Sequence, residues 1–94
     1  MLFRSEALRL GFVQEVVPAG EQMERAMAMA RTIASQAPLA VRASLASSRL
    51  FVDQGPHAAI REFNFEQGTL MATEDAAEGV RSFTERRSGN FKGR

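Results

Sequence analysis

Carboxylates are the side chains in this sequence that could most readily do chemistry. Five of them lie in two clusters: Glu62, Glu66, Glu74, Asp75 and Glu78. Paired acids can serve one reaction centre as general acid and general base. Arg61, however, offers the first pair a nearby counter-charge, and acids at a helix start are expected from the helix dipole and from capping alone. The pattern therefore favours structural roles for these acids, and it predicts no catalytic residue.

Other reactive groups are scarce. His57 is the sole histidine, and no acid or second histidine stands near it at the spacing of metal ligands, so no metal site is predicted. The chain has no cysteine, which excludes disulfides, thiolate ligands and a cysteine nucleophile. Serines 44, 47 and 48 have no base in their sequence context, and neither pattern of a glycine-rich phosphate loop is present.

The basic end of the chain is the strongest candidate for a binding site. Four cations and two aromatic residues are concentrated there: Phe83, Arg86, Arg87, Phe91, Lys92 and Arg94. Arg86 lies three residues after Phe83, which predicts that both residues share one face of the last helix. An aromatic ring beside a guanidinium can hold a flat ring and a phosphate together. A solvated basic tail, or a terminus that binds RNA or a protein partner, remains an alternative.

Composition limits the function classes. The 94 residues make one domain at most, 45% of them are hydrophobic, and the net charge is +1, so no general attraction to nucleic acid or to a membrane surface is expected. No apolar run approaches the roughly 20 residues of a membrane span. We therefore expect a soluble, cytoplasmic protein with neither nucleic acid nor membrane as partner.

The hydrophobic pattern predicts a mostly α protein. A first helix ends at Gly11, and the Val-rich residues 12–17 predict a short β-strand that ends at Pro18. Further helices are predicted from Gly20 to Ala37, from Pro38, and from Gly55-Pro56. Asp75-Ala-Ala-Glu78 resembles a capping box that opens the last helix. A single strand cannot pair its own backbone groups, so residues 12–17 need a partner.

Three motifs in order resemble the enoyl-CoA hydratase/isomerase (crotonase) family. The segment EALRLGFVQEVVPAG is similar to the family's "A…GLV…VVP". The helix over 21–37 followed by APLAVRAS is similar to "A..IA...P.A", and EDAAEGVRSFTERRSGNFKGR is similar to the ending "D..EG..AF..KR.P.F.G". Each motif is weak alone, but their order and spacing cover nearly the whole chain.

The resemblance implies a role as the C-terminal helical region of a crotonase-type fold, which drives trimer formation and in many members hexamers. Residues 1–18 would end the core, and residues 19–94 would form the helical region for oligomerisation and CoA contact. Members of this family act on acyl-CoA thioesters, often by hydration of a 2-enoyl-CoA. The resemblance matches Phe83 and Arg86 to positions that bind the adenine and phosphate end of CoA. It implies no cofactor beyond the CoA of the substrate.

Several features depart from the family pattern. Its oxyanion-hole segments and catalytic glutamates precede residue 1, so the 94-residue chain alone is predicted to be inactive. Leu45 stands where the family often has lysine, and Ser88-Gly89 replaces a basic residue and a proline. The opening MLFRS fits poorly and suggests a truncated reading frame. The alternative function is a non-enzymatic helical interaction module with a basic RNA- or partner-binding C-terminus.

Overall fold

In the computed structural model, which describes residues 3–94, helices dominate. The described residues form these helices: α1, Arg4–Arg9; α2, Gln22–Ala34; α3, Pro38–Gln54; α4, Pro56–Met71; and α5, Glu74–Thr84. The mostly α class is therefore confirmed. The four helices after Gly20 begin within two residues of the predicted positions because proline and glycine mark most of these boundaries. α4 continues through Gly68, where the added Cβ of an alanine would meet no neighbouring atom.

The strand predicted near residues 12–17 is wrong. These residues form bends and irregular backbone, and none of the described residues is in a strand. The N–H groups of Phe12 and Val13 instead donate to the carbonyl of Ala7, at 2.8 and 3.3 Å. A strand exists only through hydrogen bonds to a neighbouring strand, and the described chain supplies no such neighbour.

The chain divides into two compact units, the first ending at Arg31 and the second spanning Thr32–Arg94. In the first unit, the guanidinium of Arg25 on α2 donates to both carboxylate oxygens of Glu15, at 2.9 and 2.6 Å. The division predicted at residue 18 concerns the boundary of a family core and stays a prediction. Residues 1 and 2, which belong to its opening segment and to the MLFRS start, lie outside the described residues.

Helices α3 and α4 pack against each other in the second unit. Pro38 and Pro56 occupy their first turns, where the missing proline N–H has no intrahelical partner to lose. Gly55 alone joins the two helices, with φ 84° and ψ 177°, a conformation open essentially to glycine. Ser47 of α3 lines the same crevice as Phe63 of α4, so small side chains of α3 lie where the two helices meet.

The hydrophobic core is thin. Ala7 and Ala58 are the buried apolar residues of the described chain, and neither α2 nor α3 buries any residue. Met23 on α2 is 69% exposed and Val52 on α3 is 80% exposed. None of the helices in residues 3–94 has the length and hydrophobicity needed to cross a membrane.

Candidate functional site

Helix α5 begins with a cap different from the one predicted. Thr73 is the N-cap, and its hydroxyl accepts a hydrogen bond from the N–H of Ala76 at 3.1 Å. The predicted capping box from Asp75 to Glu78 is therefore wrong. Both carboxylates are buried, and both bind the C-terminal tail, here defined as residues 88–94. A carboxylate near a helix start can either cap the helix or bind another segment of the chain. Here the hydroxyl of Thr73, two residues before Asp75, already accepts the N–H that a cap would pair.

Asp75 fixes the last residues of the tail. Its Oδ1 accepts from the N–H of Lys92 and its Oδ2 from the N–H of Gly93, both at 2.7 Å. Its own N–H donates to the carbonyl of Arg94 at 2.9 Å. Asp75 is 3% exposed, so these bonds are shielded from water. The tail is consequently held against α5 through its backbone groups.

Glu78 fixes the turn that follows α5. Its Oε1 accepts from Arg87 Nη1 at 2.5 Å and from the N–H of Asn90 at 2.9 Å, and its Oε2 lies 3.0 Å from Arg81 Nη2. The hydrogen bond from Arg87, with further help from Asn90 and Arg81, lowers the pKa of Glu78 to about 2. The same bond, together with one to Glu85, raises the pKa of Arg87. Glu78 therefore stays ionised at neutral pH.

Phe83 and Arg86, the predicted ligand contacts, are both on the surface. Phe83 is 86% exposed on the last turn of α5. Arg86 lies beyond the helix, which ends at Thr84, so the expectation that both residues share a helix face is wrong. The helix stops because Arg86 adopts a left-handed conformation, with φ 52°. Its N–H donates to the carbonyl of Phe83 at 3.2 Å, so the two residues still belong to one turn.

The four terminal cations differ in whether they are paired. Arg87 binds Glu78 and Glu85, and Arg94 lies 2.9 Å from Glu74. Within residues 3–94, the side chains of Arg86 and Lys92 make no hydrogen bond or ion pair. Lys92 borders a polar cleft of about 390 Å³ over the Asp75 and Glu78 cluster. Arg86 and Lys92 are thus the cations of this region that remain available to an anionic ligand.

The tail also lines an apolar crevice. Phe91 lines a space of about 330 Å³ together with Leu39 of α3, Leu70 of α4 and Ala76 of α5. Phe91 is half-buried there, in contrast to Phe83. The two aromatic residues of the basic terminus therefore have different roles, since Phe91 packs against the helices and Phe83 faces outward.

The remaining candidates gain no chemical context. His57 is exposed at the second position of α4, and Glu62 is exposed on the same helix. In the described part of the chain, Arg61 forms no ion pair with Glu62 or Glu66, so it does not neutralise these acids as predicted. Among residues 3–94 no three potential ligands come together around a possible metal position. These findings leave the end of α5 as the candidate site.

Sequence reasoning did not find the contacts of Asp75 and Glu78 with the tail. The two acids were recognised as a cluster, but their partners lie 9 to 18 residues further along the chain. The one available signal was the presence of two acids, three residues apart, shortly before a basic and glycine-containing terminus. That signal indicates charge complementarity without specifying which atoms meet.

Comparison with known proteins shows one consistent set of relatives. The sequence profile of the family described as "Enoyl-CoA hydratase/isomerase" matches residues 3–94. The chain is 38% identical over 93 residues to (E)-benzylidenesuccinyl-CoA hydratase of Thauera aromatica, covering 99% of this chain and 36% of that protein. It is 39% identical over 93 residues to carnitinyl-CoA dehydratase of Proteus mirabilis, covering 95% of this chain and 36% of that protein.

Solved structures agree with these sequence matches. A probable enoyl-CoA hydratase/isomerase from Mycobacterium abscessus superposes with a TM-score of 0.89 and 45% identity, covering 97% of this chain and 35% of the other. An enoyl-CoA hydratase/isomerase from Mycobacterium paratuberculosis gives a TM-score of 0.84 and 34% identity, covering 96% and 35%. The chain thus spans about a third of the length of each of these four proteins.

Proposed function

Because the chain belongs to the enoyl-CoA hydratase/isomerase family, we propose that it forms the C-terminal helical part of an enzyme acting on acyl-CoA thioesters. The reaction proposed for the whole protein is hydration of a 2-enoyl-CoA. The activities named for two relatives, a hydratase and a dehydratase of CoA thioesters, support this reaction class. The oxyanion hole and the acid/base glutamates would lie outside these 94 residues. The whole enzyme would act without a cofactor beyond the CoA of the substrate.

The role proposed for this segment is to bind the adenine end of CoA. The observation that supports it is the pairing of an 86% exposed aromatic ring, Phe83, with the unpaired cation Arg86 in the same turn. An adenine ring can stack on Phe83 while the guanidinium of Arg86 binds a phosphate through charge-assisted hydrogen bonds. A planar guanidinium also suits the bidentate geometry of a phosphate better than an ammonium does.

The second role proposed is subunit contact in a homo-oligomer, a trimer or a hexamer of the intact enzyme. Helices α2 and α3 bury no residue in the described chain, although both carry methionine, leucine or valine on their surface. Apolar area of this extent is uncommon on a soluble monomer and is typical of a surface that another chain or domain covers. This observation is independent of the CoA-binding role proposed for the end of α5.

The alternative of a basic terminus that binds RNA has less support. It requires the terminal cations to face a polyanion together, whereas Arg87 and Arg94 are already paired with glutamates. Affinity for RNA would also fall steeply with salt, in proportion to the number of phosphates contacted. A ligand with one ring and few phosphates fits the two remaining cations, Arg86 and Lys92, better.

The test is a titration of the 94-residue chain with adenosine 3′,5′-bisphosphate, followed by amide chemical shifts. Binding to the wild-type chain should saturate. Phe83→Ala should weaken binding about tenfold, the value of one stacked base. Arg86→Gln should also weaken it about tenfold, the value of one hydrogen bond to a charged group. Phe65→Ala and Arg61→Gln are the matched controls, because both residues are exposed and lie on α4.

Three results would contradict the proposal. One is an affinity that neither Phe83→Ala nor Arg86→Gln changes. Another is preferential binding of a short single-stranded RNA with a steep salt dependence, which would favour the nucleic-acid alternative. Equal losses in the α4 control variants would also contradict it, since they would show that binding follows exposed rings and charges in general.

A further inference from the structure

The end of α5 is closed by a six-residue hydrogen-bonded turn. The N–H of Arg87 donates to the carbonyl of Ser82 at 3.0 Å, and the N–H of Arg86 donates to that of Phe83 at 3.2 Å. These two bonds define a Schellman motif, which places one residue in the left-handed conformation just after the helix. Here that residue is Arg86, with φ 52°.

The same motif ends α1 with a different residue. There the N–H of Phe12 donates to Ala7 and that of Gly11 to Leu8, at 2.8 and 3.0 Å. The left-handed position is occupied by Gly11, with φ 74°. Glycine is the usual residue at this position because it has no Cβ to clash with the backbone. Among the described residues, Arg86 is the single non-glycine with a positive φ, so backbone preference does not explain an arginine there.

The side chain of Arg87 holds the turn in place. Its Nη1 donates to Glu78 Oε1 at 2.5 Å and its Nε to Glu85 Oε2 at 2.5 Å, and both of these acids precede Arg86 in the chain. Its Nη1 also donates to the carbonyl of Ser88 at 3.1 Å. Glu78 additionally accepts from the N–H of Asn90. The backbone is therefore fixed before and after Arg86, while the Arg86 guanidinium itself has no partner among the described residues.

We propose that Glu78 and Arg87 are positioning residues, which hold Arg86 in its left-handed conformation and so direct its guanidinium toward a phosphate beside Phe83. This inference rests on the proposed adenine-end site and names the groups that set its geometry. The left-handed backbone fixes the direction of the Cα–Cβ bond of Arg86, from which its side chain extends. A backbone already held in the binding conformation loses less conformational entropy on binding than one that must first be ordered.

Glu78→Gln gives a test in which positioning and simple electrostatics predict opposite signs. Removing a negative charge near the site should strengthen binding of a phosphate if only the net charge matters. If Glu78 positions Arg86, the variant should instead bind adenosine 3′,5′-bisphosphate several-fold more weakly, approaching the loss in Arg86→Gln, about tenfold. Glu74→Gln is the matched control, because it removes an acid from the same helix whose one partner, Arg94, lies away from the turn.

The Arg86→Gly variant separates positioning from stability. Glycine suits the left-handed position, so the thermal midpoint should stay the same or rise, while affinity for adenosine 3′,5′-bisphosphate falls. A residue present for structure alone would show the opposite result. Arg87→Lys keeps the charge but loses the forked contact with Glu78 and Glu85, so it should recover only part of the affinity lost in Arg87→Gln.

A conformational measurement makes the inference testable apart from the ligand. In Glu78→Gln, the amide of Arg87 should lose protection from hydrogen exchange, and the HN–Hα coupling of Arg86 should move toward a conformational average. If both stay at their wild-type values, or if the variant binds the bisphosphate as tightly as wild type, the positioning inference is overturned. If Arg86→Gln and Phe83→Ala leave affinity unchanged, the proposed function itself is overturned. The two failures are therefore distinguishable.

Discussion

Asp75 and Glu78 lie less than one helical turn apart, yet their carboxylates bind different parts of the tail. Asp75 has the shorter side chain and accepts two consecutive backbone N–H groups, from Lys92 and Gly93. Glu78 has one more methylene and reaches the guanidinium of Arg87 as well as the N–H of Asn90. Because a carboxylate is an acceptor only, it suits a group of converging donors, and a buried one is costly unless every oxygen is paired.

Asp75→Asn should release the end of the tail. Asparagine keeps one carbonyl oxygen but turns an NH₂ group toward the second tail N–H, so one hydrogen bond is lost and the other becomes uncharged. The expected loss is about 2 kcal/mol of unfolding free energy, in the range for hydrogen bonds to charged groups. Hydrogen exchange should show faster exchange at Lys92 and Gly93, and thermal unfolding should show a lower midpoint.

Asp53→Asn is the control for that change. Asp53 is exposed on α3, and its carboxylate has no hydrogen-bond or ion-pair partner among residues 3–94. The same chemical substitution there should leave both exchange and thermal midpoint within error of wild type. If Asp75→Asn behaved like Asp53→Asn, the clamp on the tail would not contribute to stability in solution.

Glu78 should give the chain a distinct acid sensitivity. Its pKa is lowered from 4.5 to about 2, so the folded state binds a proton at this group less readily than the unfolded state. The contribution of Glu78 to stability is therefore complete above pH 4.5 and decreases as the pH falls toward 2. The difference in thermal midpoint between wild type and Glu78→Gln should be constant near neutral pH and should shrink through this window.

Glu62→Gln provides the baseline for the pH series, because Glu62 is exposed and forms no ion pair in the described chain. The difference in thermal midpoint between wild type and Glu62→Gln should stay small. It should not change between pH 4.5 and pH 2 as the difference for Glu78→Gln does. A wild-type minus Glu78→Gln difference that is flat from neutral pH down to pH 2 would contradict the assignment of a lowered pKa to Glu78.

For individual residues, the sequence predicted where the candidate site lies better than which side chains contact each other. The basic, aromatic residue types of the terminus were enough to single it out as the candidate binding site. The partner of each cation did not follow from residue types, because Arg87 and Glu78 are nine residues apart and their contact depends on where the helix stops. The stop itself was not predictable from propensity, since an arginine occupies the left-handed position where glycine is the usual signal.

Among the helices, α5 illustrates how one threonine defines a boundary. The Thr73 hydroxyl accepts from the N–H of Ala76 and also donates to the carbonyl of Leu70, at 2.6 Å. The hydroxyl therefore pairs one backbone N–H at the start of α5 and one backbone carbonyl at the end of α4. This double use explains why only two residues separate the helices, Ala72 and Thr73.

Thr73→Ala should destabilise the chain by about 1 kcal/mol, the usual cost of losing an N-cap hydroxyl. Thr69→Ala is the matched control, since Thr69 lies inside α4 and its hydroxyl bonds only the carbonyl of Phe65, four residues earlier. Alanine is a better helix former than threonine, so this control should be neutral or slightly stabilising. Circular dichroism at the helix band during thermal unfolding measures the midpoint of each variant. Equal midpoints for the two variants would rule out a capping role for Thr73.

The helices were more predictable than the strand for a physical reason. Pro38 and the Gly55-Pro56 pair act locally, by fixing φ, removing an N–H or allowing a positive φ, so their effect is visible in sequence. The Val-rich residues 12–17 have the side chains of a strand, but a strand needs a neighbour to pair with. Local propensity cannot supply that neighbour, and within the described residues the segment stays irregular.

For the molecule as a whole, burial is the quantity that matters. Burying apolar area is the main favourable term in folding, worth about 25 cal/mol per Å². The described chain buries Ala7 and Ala58 among its apolar residues, while Phe65, Val52 and Met23 are at least 69% exposed. At 45%, the sequence has enough hydrophobic residues to form a core. The described helices bury few of them because they have little surface to pack against. This agrees with a chain that spans about a third of its relatives.

The purified 94-residue chain should therefore associate or bind hydrophobic dyes. Sedimentation velocity should show a weight-average mass that rises with concentration, and the fluorescence of 8-anilinonaphthalene-1-sulfonate should increase on mixing. Ile60→Glu should reduce both signals, because Ile60 is 66% exposed on α4 and contributes apolar area to the surface. Arg61→Glu, the neighbouring exposed position, changes the charge in the same direction without removing apolar area and should have a smaller effect. A compact monomer at all concentrations, with little dye fluorescence and a cooperative thermal transition, would show instead that these helices fold stably without a covering partner.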